Sequence, residues 1–382
     1  MPPAITAKLR ATVTASLLAV LAGCSSFLGI PLQGGGSVVL IVSGTVNRLY
    51  LMNPDTQQIF GQVVTGQNPA GVAAAPDGHM VLVTNRDDAN VSAFWREGWG
   101  GFAPLGTVGT GAQPEGIAFN PNPAIAEAYV VSTADAQVTV LDTSGRLAPR
   151  VLATIPLVQG DLRPEPHHVA VSPDGQRVFV SDSANGVIFT LMRSAGAAGT
   201  IEAKVSPQAP VLKSESDLRG MLAVNNDRLY VANQKGYQLL TFDGPQNKFI
   251  GNVSLSDRIS SVRAPYVGPV NLAMNPQRTK LFVAGSAASV ISEVALSDSG
   301  TASFLRNIPI FTGRDDTASS PIGVAVTPDG NYVLATNRSG FNCSLINASP
   351  DRQIGSALFK NLEIGSNEPL GQIVVVGKPD GG

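Results

Sequence analysis

The sequence predicts an all-β protein: a seven-bladed β-propeller with four antiparallel strands per blade, its ring closed by pairing the C-terminal strand with the N-terminal blade. Three observations predict it. A strand–turn–strand unit recurs along the chain, each end carries part of a unit, and the composition suits short strands joined by tight turns. Forty of the 382 residues are glycine, 43% are hydrophobic and only 14% are charged, as a turn-rich β fold requires.

The unit is clearest in Glu165–Leu191, EPHHVAVSPDGQRVFVSDSANGVIFTL. Strands are predicted at His168–Ser172, Arg177–Ser181 and Val187–Leu191. Valine, isoleucine and phenylalanine fill them, and Pro173-Asp174-Gly175 turns the chain between the first two. Further copies begin at Gly71, Gly116, Gly220, Asn271 and Gly323. The turn prolines Pro76, Pro121, Pro173, Pro276 and Pro328 stand 45, 52, 103 and 52 residues apart. The long interval spans two units, the middle copy having lost its proline. A period of about 50 residues with about four short strands is that of a propeller blade.

The ends complete the count. Ser37–Met52, SVVLIVSGTVNRLYLM, has the second and third strands of a unit but no first strand. Gly371–Gly381, GQIVVVGKPDG, is a first strand with its turn and nothing after it. Together they make a seventh blade, which closes the ring and removes a sheet edge that would otherwise template aggregation.

The chain is expected to divide into a leader at 1–23, a tether at 24–36 and the propeller at 37–382. Lys8 and Arg10 precede the apolar run Ala11–Val20, which is too short to span a bilayer and fits a cleaved signal. Leu21-Ala22-Gly23-Cys24 resembles the lipobox of bacterial lipoproteins. That resemblance implies that Cys24 becomes the acylated first residue and that the membrane is a partner, more than one acyl chain giving stable anchoring. Ser25 stands where an aspartate would resemble an inner-membrane retention signal. The expected location is therefore the cell envelope, at the outer membrane where there is one, facing the periplasm or the exterior. Cys343 is then the remaining thiol, inside a strand and expected to be a small buried residue. Losing Lys8 and Arg10 leaves 24 basic and 28 acidic residues, a net charge of −4. No basic stripe interleaved with aromatics occurs, so nucleic acid is not an expected partner.

Between the strands, Trp95–Phe102 is expected to cover the outer edge of its blade. Arg86-Asp87-Asp88 and Arg314-Asp315-Asp316 read as solvated loop charges, offering too few converging oxygens for calcium. No histidine–cysteine spacing suits zinc, and Gly109-Thr110-Gly111 has no helix after it to cradle a phosphate. No cofactor is expected.

In a propeller the first strand of each blade lines the central channel. The residue six before the turn proline then sits at one mouth: Ala70, Glu115, His167, Arg219 (by register with Gly220, its copy lacking the proline), Val270, Ile322 and, allowing for an insertion, Leu370. The three polar positions fall on consecutive blades. A histidine can accept a proton, a carboxylate can orient it, and an arginine can hold a carboxylate or a developing oxyanion. Polar side chains at a wet channel mouth also serve simply by binding water. His168, one residue on, is expected to point the other way and pack between blades.

The blade pattern, with Val81–Asn85 (VLVTN), Val178–Asp182 (VFVSD), Leu229–Asn233 (LYVAN) and Val333–Asn337 (VLATN), resembles the YVTN-type propellers. It is also similar to the lactonase propellers, which include 6-phosphogluconolactonase and the 3-carboxymuconate lactonising enzyme. The resemblance covers Ser37–Gly381. It implies histidine, arginine and glutamate around the channel mouth, here His167, Arg219 and Glu115. His167 matches by its spacing to the turn; the other two match by residue type and ring position. Ser183-Ala184-Asn185-Gly186 departs from the longer Asp-Leu-Gly-x-Asp run of those enzymes. The expected function is therefore a membrane-anchored binding or scaffold module of the envelope, with envelope proteins or a small carboxylate or lactone as partner. The alternative is a lactonase-type hydrolase or lactonising enzyme.

Overall fold

The computed structural model describes residues 36–98, 101–193, 202–206, 215–255, 266–310, 319–348, 359–363 and 369–378. The leader, Cys24, nearly all of the tether, Arg314-Asp315-Asp316, Trp99 and the last Pro-Asp-Gly turn lie outside them.

Twenty-eight strands form seven antiparallel four-stranded sheets. The first blade holds β1 (Val38–Ser43), β2 (Arg48–Asn53) and β3 (Gln58–Val64). The second runs β4 (Pro69–Ala74), β5 (Met80–Asn85), β6 (Asn90–Glu97) and β7 (Gly101–Gly109). The third is β8 (Pro114–Phe119), β9 (Glu127–Ser132), β10 (Gln137–Asp142) and β11 (Arg150–Pro156). In the fourth, β12 (Pro166–Val171) and β13 (Arg177–Asp182) precede β14 (Val187–Met192) and β15 (Glu202–Val205). The fifth comprises β16 (Leu218–Ala223), β17 (Arg228–Asn233), β18 (Gln238–Asp243) and β19 (Lys248–Ser254). The sixth has β20 (Pro269–Met274), β21 (Lys280–Gly285), β22 (Val290–Leu296) and β23 (Ala302–Pro309). The seventh has β24 (Pro321–Val326), β25 (Tyr332–Asn337), β26 (Asn342–Asn347) and β27 (Phe359–Glu363). The last strand, β28 (Leu370–Val376), pairs with β1 and completes the first blade. The expected closure is therefore present, and strand bounds in Glu165–Leu191 move by at most two residues.

Second strands such as VVLIVS and MVLVTN are buried along their whole length, because both faces of a blade press on neighbouring blades. The core is accordingly a series of inter-blade layers. One joins Tyr129, Val131 and Val140 of the third blade to Val169, Val180 and Phe189 of the fourth. Fourth strands lie outside and alternate with solvent. Cys343 is fully buried in β26, and Trp95 lies in β6, stacked on His79 with ring centroids 5.1 Å apart.

The inner strands share a β-bulge. Pro166 opposes Asp182 while His168 opposes Ser181, leaving His167 as the extra residue. The same shift leaves Val270 and Ile322 unpaired in β20 and β24. Bulges re-aim side chains at functional rims, and here each sends one residue into the channel mouth. The register corrects one position. Ser43 opposes Leu370 as Asn233 opposes Leu218, so Gly371, not Leu370, takes the seventh ring place. Leu370 is 1% exposed and packs with Ile41, Tyr50 and Ile373; an apolar side chain gains more in that layer than at a wet mouth.

Candidate functional site

The channel opens on one face into a cavity of about 770 Å³. Glu115, His167 and Arg219 all line it. The bulges in β8, β12 and β16 put these side chains there, one from each of three consecutive blades. Ala70, Val270, Ile322 and Gly371 form the opposite, apolar or small side.

The three polar residues do not form one mutual hydrogen-bonded set. Glu115 is ion-paired with Arg86. Arg219 grips Asp217 in a two-point contact, Nε to Oδ1 at 2.7 Å and Nη2 donating to Oδ2 at 3.0 Å. His167 keeps a buried Nδ1 with no hydrogen-bond partner among the described residues. Burial pushes its pKa down to about 3, with Arg219, His168 and Arg86 adding positive field. The imidazole is therefore neutral at pH 7. His168 is held at about 4 by burial, and its Nδ1 accepts from the Met221 N–H of the next blade at 3.3 Å. That is the inter-blade place expected for it.

Arg86 overturns an expectation. Still in a loop and 40% exposed, it is more than a solvated charge, since it lines the cavity and holds Glu115. Its own pKa is lowered first by burial; Asp87 opposes this, and Arg338 and Arg219 add to it. Asp87 and Asp88 tie the neighbouring loop, Asp88 accepting from the Gln67 N–H at 2.8 Å. Arg338 also lines the cavity and has no ion-pair partner among the described residues. A repeat column carried this signal. The residue following the second strand is Gly44, Arg86, Thr133, Ser183, Gln234, Ser286 or Arg338 in successive blades, and five of the seven line the cavity.

The site is thus a cup with three guanidinium groups, two engaged with carboxylates, and a neutral imidazole between them. Guanidinium forks match planar carboxylates. Amides and hydroxyls of Asn47, Asn68, Gln234, Gln372, Ser286 and Ser320 fill much of the remaining wall, able to donate to and accept from ligand hydroxyls.

No family model matches the chain, and no curated protein matches its sequence. Solved structures do match. The periplasmic gluconolactonase of Pseudomonas aeruginosa superposes with a TM-score of 0.70 at 17% identity, over 90% of this chain and 99% of that one. A putative 6-phosphogluconolactonase of Bacteroides fragilis gives 0.69 at 18%, over 91% and 99%. The virginiamycin B lyase of Staphylococcus aureus gives 0.57 at 13%, over 81% and 94%. The likeness is one of fold. A fold of this kind hosts several chemistries, so function has to be argued from the cup itself.

Proposed function

We propose that the channel mouth binds a small polyhydroxylated carboxylate, and that the protein does so as a lipid-anchored module of the cell envelope. The observation that carries the binding reading is the convergence of Arg86, Arg219 and Arg338 with neutral His167 on one open, polar-walled cavity. A carboxylate seated there would share the guanidinium groups now paired with Glu115 and Asp217. It would also offset the positive field that adds to burial in keeping His167 neutral.

A second reading, hydrolysis of the corresponding lactone, is favoured by the neutral His167 on the cavity wall and by the gluconolactonase among the neighbours in fold. In that reaction water attacks the lactone carbonyl while His167 takes its proton, and Arg219 faces the oxyanion. Collapse breaks the ring C–O bond, and the imidazolium returns the proton to the departing oxygen. A base held near 3 is weak at neutral pH, which ranks this reading behind binding. The lipobox carries the anchoring proposal.

Calorimetry with gluconate, and pH-stat assay with glucono-δ-lactone, separate the two readings. Binding without turnover supports the module; turnover lost in His167→Ala supports the hydrolase; neither result with wild-type protein removes both. Arg219→Ala should weaken gluconate about ten- to a hundredfold, the worth of a charge-assisted contact. Cys24→Ala should release the protein from the membrane fraction; retention there would overturn the anchor.

A further inference from the structure

The face that opens the cavity carries an aromatic pair that the anion site does not use. Tyr237 stands in the turn between β17 and β18, three residues beyond the cavity-lining Gln234. Tyr266 lies two residues before Gly268, whose carbonyl accepts the hydroxyl of another lining residue, Ser286, at 3.0 Å. Gln234 donates to that same hydroxyl at 3.3 Å. The two tyrosines therefore belong to one stretch of the rim.

Their ring centroids are 4.5 Å apart at 41°, yet they remain 38% and 55% exposed. A pair serving only the core would be covered, since aromatic rings contribute chiefly by burial. Tyr237 is also held at a φ of +55°. The same turn position has a positive φ in every blade, as at Asn47, Ala89, Ala136, Gly186, Ser289 and Phe341, so this backbone belongs to the repeated turn, and glycine fits it freely, as Gly186 does in the fourth blade.

The cavity is also larger than one sugar acid needs, lying in the upper part of the roughly 300–1,000 Å³ typical of ligand pockets. Its amide and hydroxyl wall suits a ligand rich in hydroxyls. The apolar C–H face of a sugar ring fits the negative face of an exposed tyrosine. We propose that the ligand is an acidic oligosaccharide, its terminal carboxylate among the arginines and a following ring laid on Tyr237 and Tyr266. This rests on the carboxylate reading of the cavity and extends it to the rim.

The test is calorimetry of the mature chain with galacturonate and with di- and trigalacturonate. The trimer should bind about three- to tenfold more tightly than the monomer, the worth of one aromatic contact. In a Tyr237→Gly, Tyr266→Ala double variant the trimer-to-monomer ratio should fall to one. Glycine suits the backbone at 237, and thermal melts establish that the variant is folded. Equal affinities in the wild type, or a ratio that survives the double substitution, would overturn the extension while leaving the carboxylate site standing. Failure of monomer and oligomers alike would overturn both.

Discussion

His167 offers the sharpest test of the electrostatics of the mouth. Its pKa is pushed down to about 3, against an ordinary value of about 6.5, a gap worth about 5 kcal/mol between the neutral and charged ring. The unfolded chain takes up this proton near pH 6.5, the folded chain only near 3. Between those values the unfolded state holds more protons, so stability present above pH 6.5 is lost as the pH falls. For one group the slope is about 1.4 kcal/mol per pH unit. His167→Gln keeps a polar side chain and removes the titration. Urea unfolding at about pH 7.5 and about pH 4.5 should show the wild type losing roughly 2.5 kcal/mol more than the variant across that window. His168 and the carboxylates titrate in both proteins and cancel in the difference. Equal losses in the two proteins would refute the reasoning. Proton NMR of the ring gives the independent reading: Arg219→Gln should raise the His167 pKa, and a value unmoved would show that the arginine field does not reach it.

Three further outcomes follow from the packing. A Cβ at Gly71 would lie 2.3 Å from the Glu115 carbonyl oxygen of the next blade, so Gly71→Ala should cost about 1–3 kcal/mol of overpacking. An unchanged urea midpoint would contradict it. Burial pushes the Cys343 thiol up to about 12, so a thiol reagent should label the folded protein negligibly at that residue and fully in denaturant; native labelling at Cys343 would refute the burial. Arg96, 2% exposed, donates to the carbonyls of Gly36 and Gly377, clasping the two ends of the ring. Arg96→Met should lower stability by about 3 kcal/mol, read as a drop in the melting temperature; a melting temperature equal to wild type would show that the clasp is idle.

The ring was legible because it is a backbone property repeated in the sequence. Glycine, proline and aspartate punctuate each copy, and the truncated copies at the ends announce the closing blade. Single bulges were not legible, since an extra residue in an inner strand leaves no mark on hydrophobic alternation. That is why Leu370 stood one place from the ring position that Gly371 occupies. Glu115, His167 and Arg219 line the cavity, at the positions that counting from the turn, or register with Gly220 for Arg219, points to, but their partners were not legible. Arg86 meets Glu115 only because one loop folds across a blade boundary, and Asp217 meets Arg219 from just before β16, where residues two apart along an extended chain share a side. Arg86 could have been found by comparing the column after each second strand, where Arg338 recurs at the same offset.

The column just below the mouth explains how a nearly symmetric ring yields a one-sided site. Gly71, Gly116, Gly220 and Gly323 occupy it in four blades; a Cβ at Gly116 would lie 2.8 Å from the His168 Cα, and one at Gly220 would lie 2.7 Å from the Val270 oxygen. Those blades can close in only without a side chain. The other three carry His168, Asn271 and Gln372. The Asn271 amide donates to Gln372 at 2.5 Å, while His168 is tied to the fifth blade. A space of about 70 Å³ lies beneath the mouth, lined by His167, His168 and Gln372 among others. This space adjoins the cavity, the two sharing Ala70, Glu115, His167 and Gln372, while Arg86 and Arg338 line only the larger one. Gln372→Ala should widen the passage between the two spaces without touching the arginines. A change in affinity confined to longer ligands would then mean that the chain runs down the channel, whereas no change would place it along the rim.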